Sequence, residues 1–166
     1  MLLWSLYGDT DGKITTQVKV SRLTYVGLFL YYHINITMSD KLKTYNDKVK
    51  NFISTEQFID WLFLLGDVEN ITENIRQKEN YVKGCQSDVW ITVTKQNDTF
   101  NFIIDSDINF VRGIGRILTE VYSGYTAEEI TKIKFAHFKN IAQYLTMPRK
   151  KGMQIMINKI HNLTKD

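Results

Sequence analysis

Val89-Trp90-Ile91-Thr92-Val93-Thr94, then Lys95-Gln96-Asn97-Asp98, then Thr99-Phe100-Asn101-Phe102-Ile103-Ile104 decides how this chain is read. Val89, Ile91 and Val93 alternate with Trp90, Thr92 and Thr94, the period of a strand with one buried face. The polar tetrapeptide makes a turn, and Phe100, Phe102 and Ile104 give the returning strand a matching apolar face. Tyr81 to Gly84 is a weaker candidate for a short third strand. Downstream the period changes. Phe110, Val111, Ile114, Ile117, Leu118 and Val121 fall on one side of a helix, with Asp107 as its expected N-cap. Gly113 and Gly115 inside that helix each cost about 1 kcal/mol against alanine, which implies close approach to another element. Gly124 ends it.

The same periodicity predicts helices on either side. Leu42, Tyr45, Val49 and Phe52 space a helix from Ser39 to Phe52. Ser54 with Gln57 resembles a capping box for a second, carrying Phe58, Ile59, Leu62, Phe63 and Leu65 and stopping at Gly66. Asp67 to Lys83 is polar and aperiodic and reads as a long loop, a feature that tends to carry function. Thr126 with Glu129 caps a short helix. Pro148, the only proline, opens the last one, which runs through Met153, Met156, Ile157 and Ile160. Helices around a small antiparallel sheet of about three strands make an α+β domain.

With 166 residues, the chain is long enough to bury one core. A net charge of +3, dispersed along the sequence, gives no basic face for nucleic acid. Leu23 to Ile36 is apolar but too short to span a bilayer, which takes about 20 residues. Lys19 and Arg22 precede it as in a secretory signal, yet no small-residue cleavage site follows, and Asp9 and Asp11 fit poorly. The expectation is that residues 1–37 are a dispensable extension, that Met38-Ser39-Asp40 is the natural start, and that residues 38–166 form a domain working in the cytoplasm, away from membranes.

One cysteine, Cys85, follows Gly84 and precedes Gln86 and Ser87, so it reads as the tip of a tight loop. A packing cysteine usually lies within an apolar run; both a chemically used thiol and a half-buried loop cysteine remain open. A single cysteine excludes an internal disulfide, a cysteine-rich zinc site and an iron–sulfur scaffold built on several thiolates. A cysteine hydrolase needs a histidine base, and His33, His137 and His161 carry no flanking signature. Relay of a sulfane sulfur needs one accessible thiol and no base, metal or cofactor, and fits best. Asp105 and Asp107 could form an acid–base pair, but capping explains Asp107 more simply and Asp105 closes the strand. Trp90 and Phe100 read as core, or as flanks of the loop. Arg149, Lys150 and Lys151 oppose the macrodipole in a helix's first turn, a local conflict of the kind found at functional sites.

The run Val82-Lys83-Gly84-Cys85-Gln86-Ser87-Asp88-Val89-Trp90 resembles the Gly-Cys-x-Ser-x-Val-Trp signature of the SufE family of sulfur-acceptor proteins. Three further blocks resemble it in order: Asp105-Ser106-Asp107 with Val111-Arg112-Gly113-Ile114; Tyr122 to Ile130; and Leu145-Thr146-Met147-Pro148-Arg149-Lys150-Lys151-Gly152. The resemblance covers about Asp40 to Leu163. It implies a SufE/IscU-like fold and a protein that is a sulfur-transfer accessory rather than a free-standing enzyme. Cys85 would take persulfide sulfur from a PLP-dependent cysteine desulfurase (SufS-like or CsdA-like), stimulate it, and pass sulfur toward iron–sulfur cluster assembly on a SufBCD-type scaffold. The alternative is a regulatory partner of the desulfurase that takes no sulfur. Cys85 and Arg149 are the expected catalytic residues; Gly84, Gln86, Ser87, Asp107 and Lys150 are expected to meet substrate or partner, with no metal and no bound cofactor. The resemblance also implies that the loop tucks its thiol into an apolar pocket. Asp88 departs from the family, where a neutral residue is frequent, and its charge would oppose thiolate formation. Met147-Pro148 replaces a frequent Pro-Ser order.

Overall fold

A computed structural model describes residues 37–67 and 73–165. The expected extension over 1–37 falls, Thr37 apart, outside the described residues. Thr37 itself caps helix α1 (Met38–Lys50): its hydroxyl accepts from Asp40 N–H while the Asp40 carboxylate accepts from Thr37 N–H, a capping box absent from the sequence reading. Helix α2 (Thr55–Gly66) has Ser54 as N-cap, but Gln57 reaches one residue further back, to Ile53 N–H.

Strands β1 (Val89–Gln96) and β2 (Thr99–Ser106) pair antiparallel from Val89↔Ser106 to Gln96↔Thr99, so the turn is Asn97-Asp98, with Asn97 at φ 55°. Asn is one of the few residues that adopt this left-handed conformation readily. Val89, Ile91, Phe100, Phe102 and Ile104 are buried. Against that face lies α3 (Asn109–Tyr122), which also packs on α2. The two helix glycines serve one neighbour each. A Cβ on Gly113 would stand 2.0 Å from the Leu62 carbonyl oxygen of α2, and one on Gly115 would stand 2.7 Å from the Ile104 side chain of β2. This is the close approach that the glycines implied.

The third strand differs from expectation. It is β3 (Tyr125–Thr126), paired with Thr99 and Phe100; Tyr81 makes a single bridge to Trp90 instead. Of the expected loop from Asp67 to Lys83, the described residues include 3-10 turns at Glu73–Ile75 and Lys78–Asn80. Asp107 is not the cap of α3. That position belongs to Ile108, whose N–H donates to Ser106 Oγ at 3.3 Å, because the serine hydroxyl is buried at the helix start while Asp107 is exposed.

Helix α4 (Ala127–Lys132) carries the expected Thr126–Glu129 box. A 3-10 turn (Phe135–Phe138) and α5 (Lys139–Ala142) lead to α6 (Met147–Leu163), whose Met153, Met156, Ile157 and Ile160 close the core. Six α-helices and a three-stranded antiparallel sheet in the order β1-β2-β3 thus form an α+β domain among the described residues. No helix among them is long and apolar enough to cross a membrane.

Candidate functional site

The loop between Tyr81 and Trp90 is hydrogen-bonded at both stems, whereas its tip makes a single weak hydrogen bond. Val82 N–H donates to the Val89 carbonyl at 2.9 Å, below the Tyr81–Trp90 bridge. Downstream, the Asp88 carbonyl accepts Ser106 Oγ at 2.7 Å. Gly84 sits at φ 96°, a conformation that costs a side chain and that glycine adopts freely. The turn there aims Cys85 back toward α6, where its S–H donates to the Gly152 carbonyl at 3.8 Å.

Cys85 is half-buried and packs against the core. It opens on a cavity of about 180 Å³ lined by Gln86 and Ser87 of the loop, by Ile108, Phe110, Val111 and Ile114 at the start of α3, and by the first turns of α6. From α6 come Pro148, Arg149, Gly152, Met153 and Met156. The wall is apolar apart from the loop residues and Arg149, whose guanidinium lies over the Phe110 ring, 4.1 Å from its centroid. No carboxylate pairs with Arg149 among the described residues.

Burial pushes the Cys85 thiol above its ordinary value, because an apolar wall solvates a thiolate poorly. The Asp88 carboxylate turns to Tyr81, accepting the phenol O–H at 2.9 Å. The thiol is therefore protonated at rest near neutral pH. Alkylation of the folded protein is expected to follow a pH curve displaced upward from that of the same chain in denaturant, and iodoacetamide rates measured across pH check it. A curve at or below the denatured one would contradict the burial. Above the unfolded thiol's pKa the unfolded chain has lost a proton that the folded chain keeps, so stability falls as pH rises through that value.

Cys85, Gln86, Ser87 and Arg149 meet at one cavity, with Gly84 beside it. Asp107 and Lys150 do not line it. Asp107 accepts Ser106 Oγ at 3.3 Å, one residue from the loop's downstream clamp. Neither described histidine reaches the cavity: His137 bonds Lys134, and His161 donates to the Ile133 carbonyl at 2.9 Å. The hydrolase reading thus has no base among the described residues. No group of three or more metal-ligating side chains occurs among them either.

Behind the loop lies a cluster that the sequence reading did not assemble. Asp105, 1% exposed, accepts Arg76 Nε at 2.7 Å, Arg112 Nε at 3.1 Å and Ser106 N–H at 2.8 Å. Two arginines on one buried carboxylate leave no acid–base pair with Asp107. Arg112 also donates to the carbonyls of Gly66 and Ser106, at 3.0 Å each, tying the end of α2 to the end of β2. An arginine seven residues after a strand-end aspartate was visible in the sequence. Arg76, 29 residues upstream of Asp105, gave no such signal.

Residues 43–164, most of the chain, match the family model for SufE, described as an Fe-S metabolism associated domain. The chain belongs to the SufE family. The fold has a counterpart in the solution structure of a hypothetical protein from Thermus thermophilus. That structure is 13% identical in sequence, with a TM-score of 0.62, over 75% of this chain and 93% of that one. At that identity the likeness concerns the fold alone. Membership of the SufE family associates this domain with iron–sulfur metabolism.

Proposed function

We propose that this SufE-family domain is a sulfur acceptor working through Cys85. The observation that carries the reading is the placement of the chain's one thiol on a loop tip, half-buried over an apolar cavity, in a domain of this family. In the proposed step the Cys85 thiolate attacks the outer sulfur of a persulfide on the active-site cysteine of a PLP-dependent desulfurase. One S–S bond forms as another breaks, and the donor cysteine departs as a thiolate. The count of disulfide-level sulfurs is unchanged, so no oxidant or reductant is consumed. The sulfur then moves on to a SufBCD-type scaffold for cluster assembly, in the cytoplasm, with the loss of Cys85's persulfide freeing it for another round.

The site's chemistry supports each requirement. The resting thiol is protonated and half-buried, so it reacts once a partner draws the tip out and exposes it. Met147, 74% exposed, and Ile108, 43% exposed, flank the cavity as apolar surface that a partner would cover. Arg149 offers the anionic sulfur species a guanidinium that no described carboxylate neutralises. The cavity shields a returning persulfide from further oxidation. Asp107 and Lys150, off the cavity, belong to the surface a partner meets.

The same partial burial favours a second reading, in which the domain binds and regulates a desulfurase without taking its sulfur. Incubation with desulfurase and free cysteine, followed by intact mass, separates the two. Gain of one sulfur atom supports the acceptor; stimulation of the desulfurase with no mass change supports the regulator.

A further inference from the structure

We propose that Arg76 is a positioning residue for Cys85, acting through the loop's stems without touching sulfur. As a claim about the transfer reaction it rests on the sulfur-acceptor reading; as a claim about how the thiol is held it stands on geometry alone. Arg76 leads into the loop from the upstream side. Its guanidinium donates to Asp105 Oδ2 at 2.7 Å and lies over the Trp90 ring, 5.1 Å from the centroid. Trp90 bridges Tyr81, and the two rings meet edge-on with centroids 6.0 Å apart. On the downstream side the residue after Asp105 is Ser106, whose hydroxyl holds the Asp88 carbonyl. Both stems of the loop are therefore fastened at neighbouring residues, the downstream one by the Ser106 hydroxyl and the upstream one through the Tyr81–Trp90 bridge and Arg76 to the Asp105 carboxylate.

The tip contrasts with this. Residues 83–87 are fastened to the rest of the described structure by a single hydrogen bond, the weak one from the Cys85 thiol to Gly152. A loose tip on a fixed stem returns its thiol to one place; a loose tip on a loose stem does not. Loss of Arg76 leaves Asp105 still paired with Arg112 and Ser106 N–H, so the domain keeps its buried ion pair and folds. What it loses is the tether between stem and carboxylate, a charge-assisted hydrogen bond together with a cation–π contact.

The test compares Arg76→Gln and Arg76→Lys with the parent and with Arg116→Gln, which removes an equal charge from the exposed pair with Glu120. The first readout is the iodoacetamide rate of Cys85 in the isolated folded protein, across pH. Arg76→Gln is expected to alkylate about tenfold faster near neutral pH, the equivalent of one charge-assisted hydrogen bond. Its pH curve should move down toward that of the denatured chain, with Arg76→Lys intermediate and Arg116→Gln unchanged. A role in global stability alone would lower the melting temperature and leave the folded-state rate and curve where they were. That result overturns the proposal; if Arg76→Gln does not fold, a parental rate and curve in Arg76→Lys overturn it.

The second readout is desulfurase-dependent sulfur uptake. The concentration for half-maximal uptake is expected to rise in Arg76→Gln with the saturating rate retained; an unchanged concentration dependence overturns the role in transfer. The two readouts separate the claims. If the parent accepts no sulfur while Arg76→Gln still exposes the thiol, the acceptor reading fails and the positioning of Cys85 stands.

Discussion

The Cys85→Ser protein is expected to fold as the parent does and to carry no sulfur. Serine replaces one half-buried atom whose sole hydrogen bond among the described residues is a 3.8 Å contact to Gly152, so the change in stability is expected within about 1 kcal/mol. The chemistry is lost outright, because an alkoxide is not formed near neutral pH and no second thiol exists to substitute. For an acceptor, stimulation of the desulfurase falls with it, since stimulation arises from clearing the donor's persulfide. Turnover of cysteine by the desulfurase, titrated with each protein, measures this. Stimulation equal to the parent's would place the effect in binding and favour the regulatory reading.

Asp105→Asn is expected to have the largest effect on the fold. The amide keeps the shape but removes the charge that two guanidinium groups share. Arg76, 43% exposed, recovers part of its hydration, whereas Arg112, at 18%, remains held among the carbonyls of Gly66 and Ser106 without an anion. Breaking a buried pair from one side costs roughly 3 kcal/mol or more, a large share of the ~5–15 kcal/mol that keeps a domain folded. Urea midpoints with unchanged slopes check it. Replacing Asp105 and Arg112 together by apolar residues is expected to cost less than the two single changes combined, which ties the loss to an orphaned charge rather than to crowding.

How much of this was legible beforehand depends on the distance over which each feature is set. The hairpin from Val89 to Ser106 and the faces of α3 and α6 follow from local period, and they stand where the periodicity put them. Gly113 and Gly115 announced close approach to another element, although not that each one meets a different neighbour. The misses are interactions that local pattern does not encode. Two residues, Tyr125 and Thr126, become a strand because β2 offers them an edge. Tyr81 does not extend the sheet because its pairing stops after one bridge. Asp107 does not cap the helix: its carboxylate accepts from the Ser106 hydroxyl, and Ile108 holds the N-cap position. At the site, Cys85, Gln86 and Ser87 are contiguous and were read as a unit, and Arg149 was placed with them by the resemblance and by its conflict with the helix dipole. The apolar wall was hidden in plain helix pattern: Phe110, Val111, Met153 and Met156 read as core, and only the meeting of α3 with α6 opens a cavity between them. Arg76 was invisible because its partner is reached through space alone.

The most direct test of the account uses a desulfurase carrying a single isolated persulfide, freed of cysteine, mixed rapidly with this protein and quenched over time. The sulfur is expected to leave the donor and to appear on the peptide bearing Cys85 with one shared rate constant, and to stay on the donor when Cys85→Ser is used. Donor persulfide that decays to sulfide while Cys85 remains an unmodified thiol would contradict it.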